Sequence, residues 1–284
     1  MTRHPGTGVG LLLLAAAVAA IAQEPTYKNG IGMEFVLIKP GKFTIGRFQP
    51  TYATPPDPNA PPPPPGRGRG REDPPLTPEE YARIKDAAVR DSTPGFEVTI
   101  ARPYYLGTYE VTQAQYRQVM GTNPSVFQGS LIADAADTHP VDSVTWADAQ
   151  AFVRKLNQME KTTAYRLPTE FEWEYAARAG ADDDIPWNEI RAQGYNSGPT
   201  TQQVGKMKPN AWGLYDMLGN VWEWTQDFYN ERIFADPTPP RSGTQHVLKG
   251  GGFLADVKNM TYMWHGAGPG NRFDVGFRVV RDIR

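Results

Sequence analysis

Cysteine does not occur anywhere in the 284 residues. That absence excludes disulfides, thiolate metal sites and any reaction that needs a cysteine sulfur. An excess of either charge is also missing. The 29 Lys and Arg nearly balance the 31 Asp and Glu, for a formal charge of −2, which argues against a nucleic-acid surface. The apolar run at residues 9–22 is shorter than the roughly 20 residues a membrane helix needs. With Arg3 before it and Ala20-Ile-Ala22 at its end, residues 1–22 read as a secretory signal, with a retained anchor as the alternative. No cysteine follows the run, so a lipid anchor on cysteine is excluded. The mature chain is expected to begin near Gln23, to carry no transmembrane segment and to be periplasmic or secreted. No internal repeat of solenoid or propeller period is present. The glycines at 250–252 lack the Lys-Ser/Thr of a phosphate loop, which leaves close backbone packing as their reading.

What the chain does have is aromatics and turn formers: 7 Trp, 13 Tyr and 12 Phe beside 28 Gly and 27 Pro. They concentrate in Asn210-Ala-Trp-Gly-Leu-Tyr-Asp-Met-Leu-Gly-Asn-Val-Trp-Glu-Trp224. This run is too aromatic for a solvated loop and too rich in Gly and Asn for the interior of a helix or strand. It reads as a buried, irregular turn held by rings, with short polar side chains bonded to backbone. Between Leu218 and Glu223, oxygen donors could also gather around one hard cation, which favours calcium. A bare core and an ion site both remain open on composition.

Along the rest of the chain, alternation predicts a β-hairpin over residues 31–45 about Pro40-Gly41, then strands at 96–100 and 104–111. Residues 48–93 interrupt this pattern with a Pro-rich and then Gly/Arg-rich arm, followed by a helix from a Thr77 cap to about Val89. Thr112 with Gln115, Thr145 with Asp148 and Thr169 with Glu172 have the spacing of capping boxes. They predict helices ending at Gly121, running past Leu156, and ending at Gly180. Glu174 and Arg178 stand four apart on the last helix, a spacing that pairs opposite charges on a helix face. Strands are expected again near residues 247–253 and 275–280. Asp182-Asp-Asp184 lacks the spacing of an EF-hand loop, and His139 reads as a loop or packing residue.

Five ordered blocks resemble the formylglycine-generating enzyme family, the sulfatase-modifying factor fold. They are residues 32–46, 106–116, 165–180 and 213–224, and the terminal pair 249–252 with 276–278. The resemblance covers nearly the whole mature chain, 23–284, with residues 48–93 as an insertion. It implies an α+β class: a single turn-rich mixed domain with a C-type-lectin-like architecture. It also implies a calcium ion held through Asn196, Leu218, Gly219, Val221 and Glu223.

Enzymes of that family oxidise a substrate cysteine to formylglycine with copper held by two cysteines. Laid on this sequence, those cysteines fall at Ala255 and Met260, so the thiol–copper reaction cannot run. Softer substitutes nearby are Met260, Met263, His265 and His246, a set that would suit Cu(I) only if it converged. Relatives that form ergothioneine pair the domain with a three-histidine iron domain. Here four His occur, one of them in the signal. Tyr262, Trp264 and Arg272 are expected to line the substrate groove, with Arg272 either binding a carboxylate or pairing with Asp274. The favoured reading is a calcium-stabilised binding or scaffold module with a protein, peptide or small-molecule partner. The alternative is a cysteine-independent periplasmic oxidative maturation enzyme, similar to the family member that matures a siderophore chromophore. Ordinary sulfatase maturation is disfavoured by Ala255 and Met260.

Overall fold

The computed structural model describes residues 25–46, 79, 82, 83, 86, 93–182, 185, 190, 192–194, 198–235, 238–255, 260–268 and 272–283. The signal-like segment, the arm at 48–78 and Asn196 lie outside these residues, as do Asp183 and Asp184. Of the helix expected after Thr77, Glu79, Ala82, Arg83 and Asp86 are helical.

The strands and the longer α-helices follow in order among the described residues: β1 (Thr26–Lys28), β2 (Glu34–Ile38), β3 (Gly41–Ile45), β4 (Phe96–Ile100), β5 (Tyr104–Gly107), α1 (Gln113–Met120), α2 (Trp146–Met159), β6 (Tyr165–Arg166), α3 (Glu170–Arg178), β7 (Trp222–Phe228), β8 (His246–Lys249), β9 (His265–Gly268), β10 (Val275–Gly276) and β11 (Val280–Asp282). They form an antiparallel sheet β1-β2-β5-β11-β6, a second sheet β10-β7-β8-β9 in which β10 runs parallel to β7, and the pair β3-β4. The result is a mixed α+β domain. No helix among the described residues is long and apolar enough to cross a membrane.

All three capping boxes form, with the threonine hydroxyl accepting from the third helical N–H and the third side chain reaching back to the cap. Each threonine cap is worth about 1 kcal/mol. Helix α1 stops at Gly121, whose φ of 80° is the left-handed conformation glycine adopts freely. Helix α3 stops one residue earlier than its glycine, at Ala179, with φ 47°.

Two expectations are corrected. Residues 31–45 are not a hairpin. β2 pairs with β1 and β5, whereas β3 pairs with β4 in another sheet. Pro40 sits between them without an N–H to donate, and the chain leaves one sheet for the other there. Likewise 275–280 is not one strand. β10 and β11 lie in different sheets, and Phe277, Arg278 and Val279 between them are wholly buried.

Two hydrophobic clusters fill the domain. One gathers Trp173, Met217, Leu218 and Met260 against β3, β4 and β5 residues. The other packs Phe152, Leu156 and Tyr116 from α1 and α2 against Phe35, Trp224 and Phe277. Each fully buried side chain of this size contributes about 1.5–3 kcal/mol. Helix α3 runs between β3-β4 and the second sheet, and it carries the buried pair Glu174–Arg178 at 2.8 Å. That pair is out of water entirely, and Lys249 Nζ joins it 3.1 Å from Glu174. Such a cluster holds only because each charge has a partner.

Candidate functional site

The 210–224 run folds into tight turns that lead into β7. Asn210 is its hub. Its Oδ1 accepts the N–H groups of Trp212 (3.0 Å) and Leu214 (3.1 Å), and its Nδ2 donates to the carbonyls of Ala176 (2.8 Å) and Ala177 (3.2 Å). Asp216 and Asn220 adopt left-handed φ of 54° and 57°, which short polar side chains tolerate.

Under this turn lie four buried charged side chains: Glu110, Asp216, Glu223 and Arg278. Glu223 accepts from Arg278 Nε (2.6 Å) and Nη2 (2.6 Å) and from the Trp173 indole (2.7 Å). Glu110 accepts from Asn220 Nδ2 (2.6 Å) and the Val221 N–H (3.1 Å). Asp216 accepts the Gly205 N–H through Oδ2 (2.6 Å), while its Oδ1 is buried without a partner. Burial pushes Glu110 well above the usual carboxylate range, and the neighbouring Asp216 and Glu223 charges add to it. Burial also raises Asp216 to about 6, against the opposing pull of the Gly205 N–H and Arg278. Three carboxylates against one guanidinium leave a formal −2 when all are ionised.

The unpartnered Asp216 Oδ1 is one oxygen donor that a hard cation such as calcium would use, with the Arg278 guanidinium already in the same cluster. Both Glu223 oxygens are already engaged by Arg278 and Trp173, so the free acidic oxygen belongs to Asp216. Among the described residues no three His, Asp or Glu side chains converge on one point, so backbone carbonyls such as those of Leu218, Gly219 and Val221 would complete the set. The run itself contains Asp216, but nothing in sequence singled it out. Glu110, more than a hundred residues upstream, gave no signal at all.

The positions of the family cysteines are filled differently. Met260 is fully buried in the first core cluster, and Ala255 packs against that cluster. Of the residues expected to line the groove, Arg272 is open to solvent, with 69% of its side chain exposed, and is paired with Asp274 at 3.2 Å. Trp264 is also exposed. Tyr262 is buried, with the Arg178 guanidinium 6.0 Å from its ring centre. A cleft of about 760 Å³ lies elsewhere, between β1-β2 and Trp212.

Met260 and Met263 are core residues. His246 is sandwiched between Trp146, with ring centres 3.7 Å apart and nearly parallel, and Phe228 at 4.4 Å. His265 Nδ1 lies 2.9 Å from Glu170 Oε1, close enough for an ion pair yet unaligned as a hydrogen bond. Burial favours the neutral acid at Glu170, but His265 and Lys249 outweigh it and hold the carboxyl below its usual range. His139 is a buried link, 2.6 Å from Asp134 and 2.9 Å from Thr201.

Comparison with known proteins agrees with this architecture. The family model described as the sulfatase-modifying factor enzyme 1-like domain matches residues 22–283. The chaperone protein LppX of Paenibacillus barcinonensis is 30% identical over 63% of this chain and 80% of its own length. The formylglycine-generating enzyme of Thermomonospora curvata is 37% identical over 44% of this chain, and the match spans only about half of that enzyme, 48%. The solved structure of PvdO from Pseudomonas aeruginosa shares the fold, with a TM-score of 0.69 and 21% identity over 92% of this chain and 100% of that one.

Proposed function

The chain belongs to the sulfatase-modifying factor enzyme 1-like family, and on that premise we propose that it is a cysteine-independent maturation protein. In this reading it works outside the cytoplasm and holds a client, protein, peptide or small molecule, while that client is processed. The observation that carries the reading is the pair Ala255 and Met260: no thiol stands at either position, and Met260 is sealed into the core. A maturation role is better supported than a passive scaffold. The fold match to PvdO runs the whole length of that protein, and a relative named as a chaperone is covered over 80% of its length. A lectin-like form of the fold, as the family resemblance implies, and the secretion-like residues 1–22 would fit an extracytoplasmic binder. A calcium ion beside Asp216 would neutralise the buried acidic cluster and stiffen the turn that leads into β7.

A second form of the role is oxidative, with dioxygen as oxidant. One observation favours it: the His265–Glu170 pair packs against the Tyr229 ring, with the two ring centres 4.9 Å apart, so an imidazole–carboxylate pair lies beside a phenol-bearing ring.

The test uses purified mature protein with added copper and a sulfatase cysteine peptide, read by mass spectrometry, with oxygen uptake recorded against an extract of secreted proteins. No aldehyde is expected. Aldehyde on the peptide would end the cysteine-independent reading. Oxygen uptake abolished by His265→Gln would establish the oxidative form over simple client holding.

A further inference from the structure

The cleft of about 760 Å³ between β1-β2 and Trp212 shares no lining residue with the buried charges under the 210–224 turn, and none with residues 249–278, which hold the family cysteine positions. Its size falls within the roughly 300–1,000 Å³ of small-molecule sites.

The floor follows from strand register. Thr26 stands opposite Val36, and Lys28 opposite Glu34, in the β1-β2 pair. Side chains alternate along a strand, so these four share one face of the sheet. Val36 is half-buried in that face. Lys39 follows Ile38, the last residue of β2, and stands roughly 17 Å along the chain from Glu34. The cleft therefore has a Lys28–Glu34 end and a Lys39 end, with Thr26 and Val36 between them.

Trp212 forms the wall. Its half-buried indole meets the Tyr175 ring edge-on, with centres 5.1 Å apart at 69°. The Tyr175 hydroxyl donates to the Lys39 carbonyl at 3.2 Å. One buried tyrosine thus steadies both the wall and the backbone of the basic end. The Trp212 N–H is held by Asn210 Oδ1, and the Tyr215 N–H donates to the carbonyl of Thr108, another lining residue, at 3.0 Å. A site shaped before binding gives up little entropy when it fills.

The two ends differ in charge. Lys28, Glu34 and Lys39 are the charged residues of the lining. Lys28 and Glu34 pair at 3.1 Å and cancel. Lys39 is exposed, and no Asp or Glu among the described residues forms an ion pair with it. An apolar floor, an indole wall and one uncompensated ammonium are complementary to a flat apolar body with a single anionic end.

We infer that this cleft binds a small aryl carboxylate, with its rings between Val36 and Trp212 and its carboxylate at Lys39 Nζ. Such a site is separate from client processing and holds whether or not the protein matures a client.

Isothermal titration calorimetry of the mature protein compares naphthylacetate with its neutral isostere, naphthylacetamide, at low and high salt. Saturable one-to-one binding is expected, with the amide roughly fivefold weaker, the usual size of an exposed charge contact. Salt should weaken the acid and spare the amide. Lys39→Gln should bring the acid down to the amide's affinity without moving the melting temperature. Trp212→Leu should weaken both ligands at least about tenfold. Amide resonances of residues 26–28, 36–39 and 212–213 should shift as the acid binds. Lys39→Gln decides the matter should Trp212→Leu fail to fold. No saturation, an unchanged acid-to-amide ratio in Lys39→Gln, full affinity in folded Trp212→Leu, or shifts confined to other segments overturns the site. Binding that emerges only after residues 48–78 are deleted would make that arm the occupant. A dimer dispersed by Trp212→Leu would make the occupant a second copy. Either result overturns the ligand assignment.

Discussion

Replacing Asp216 by Asn should make the metal-free protein more stable at pH 7.5. The Asp216 carboxyl is buried, and one of its oxygens has no partner. Its value is raised from 3.8 to about 6. A shift of about two units at roughly 1.4 kcal/mol each puts the cost of the ionised state at about 3 kcal/mol. The sign follows from where each state takes up its proton. The native protein binds it below about pH 6, whereas the unfolded chain waits until near 3.8. Stability is therefore gained as pH falls through 6 toward 4 and is lost as pH rises through 6. Asparagine mimics the protonated acid and keeps an acceptor for the Gly205 N–H, now 2.6 Å from Oδ2. In chelator at pH 7.5, Asp216→Asn should melt roughly 5 °C above the parent, within the range about 3 kcal/mol gives for a domain of this size. At pH 5 the gap should shrink by about half, closing only as pH approaches the unfolded value near 3.8. Millimolar calcium should raise the parent's melting temperature at pH 7.5 by more than that of the variant. Thermal melts at the two pH values, with chelator and with calcium, provide all four comparisons. A variant less stable than the parent in chelator at pH 7.5, or a gap that does not narrow at pH 5, would refute the unpaired-carboxylate argument.

Three other outcomes follow from the same contacts. Arg278→Met strips Glu223 of its partner in a fully buried site and should cost about 3–5 kcal/mol by urea unfolding, with Glu223→Gln added to it restoring part of the loss. Thr169→Ala removes the cap of α3 and should cost about 1 kcal/mol, measured the same way. Gly276→Ala places a Cβ 2.5 Å from the Val141 carbonyl oxygen and 2.9 Å from Val221 Cγ2, so it should destabilise by at least about 1–3 kcal/mol or reduce soluble yield.

The features legible in the sequence were those written within a few residues. The capping boxes at Thr112, Thr145 and Thr169 were readable because donor and acceptor stand three apart. Alternation made extended structure within 31–45 and the strand at 96–100 readable, but not their partners. Alternation tells which face of a strand is buried and is silent on which strand lies beside it, so the supposed hairpin at 31–45 belongs to two sheets. The burial of Tyr262 beside Arg178 was not legible either, because it depends on segments far apart in the chain.

By itself, the sequence determined that no thiol chemistry is possible, since the lack of a side-chain type holds in any fold. It also determined where helices start and stop, because those signals act over three or four residues. Only the closed structure decided that Glu110, Asp216, Glu223 and Arg278 share one dry site, and that Val36, Lys39 and Trp212 line one cleft. The reason is physical: a charge is perturbed only when distant chain segments remove its water, and a cleft exists only when they bring its walls together.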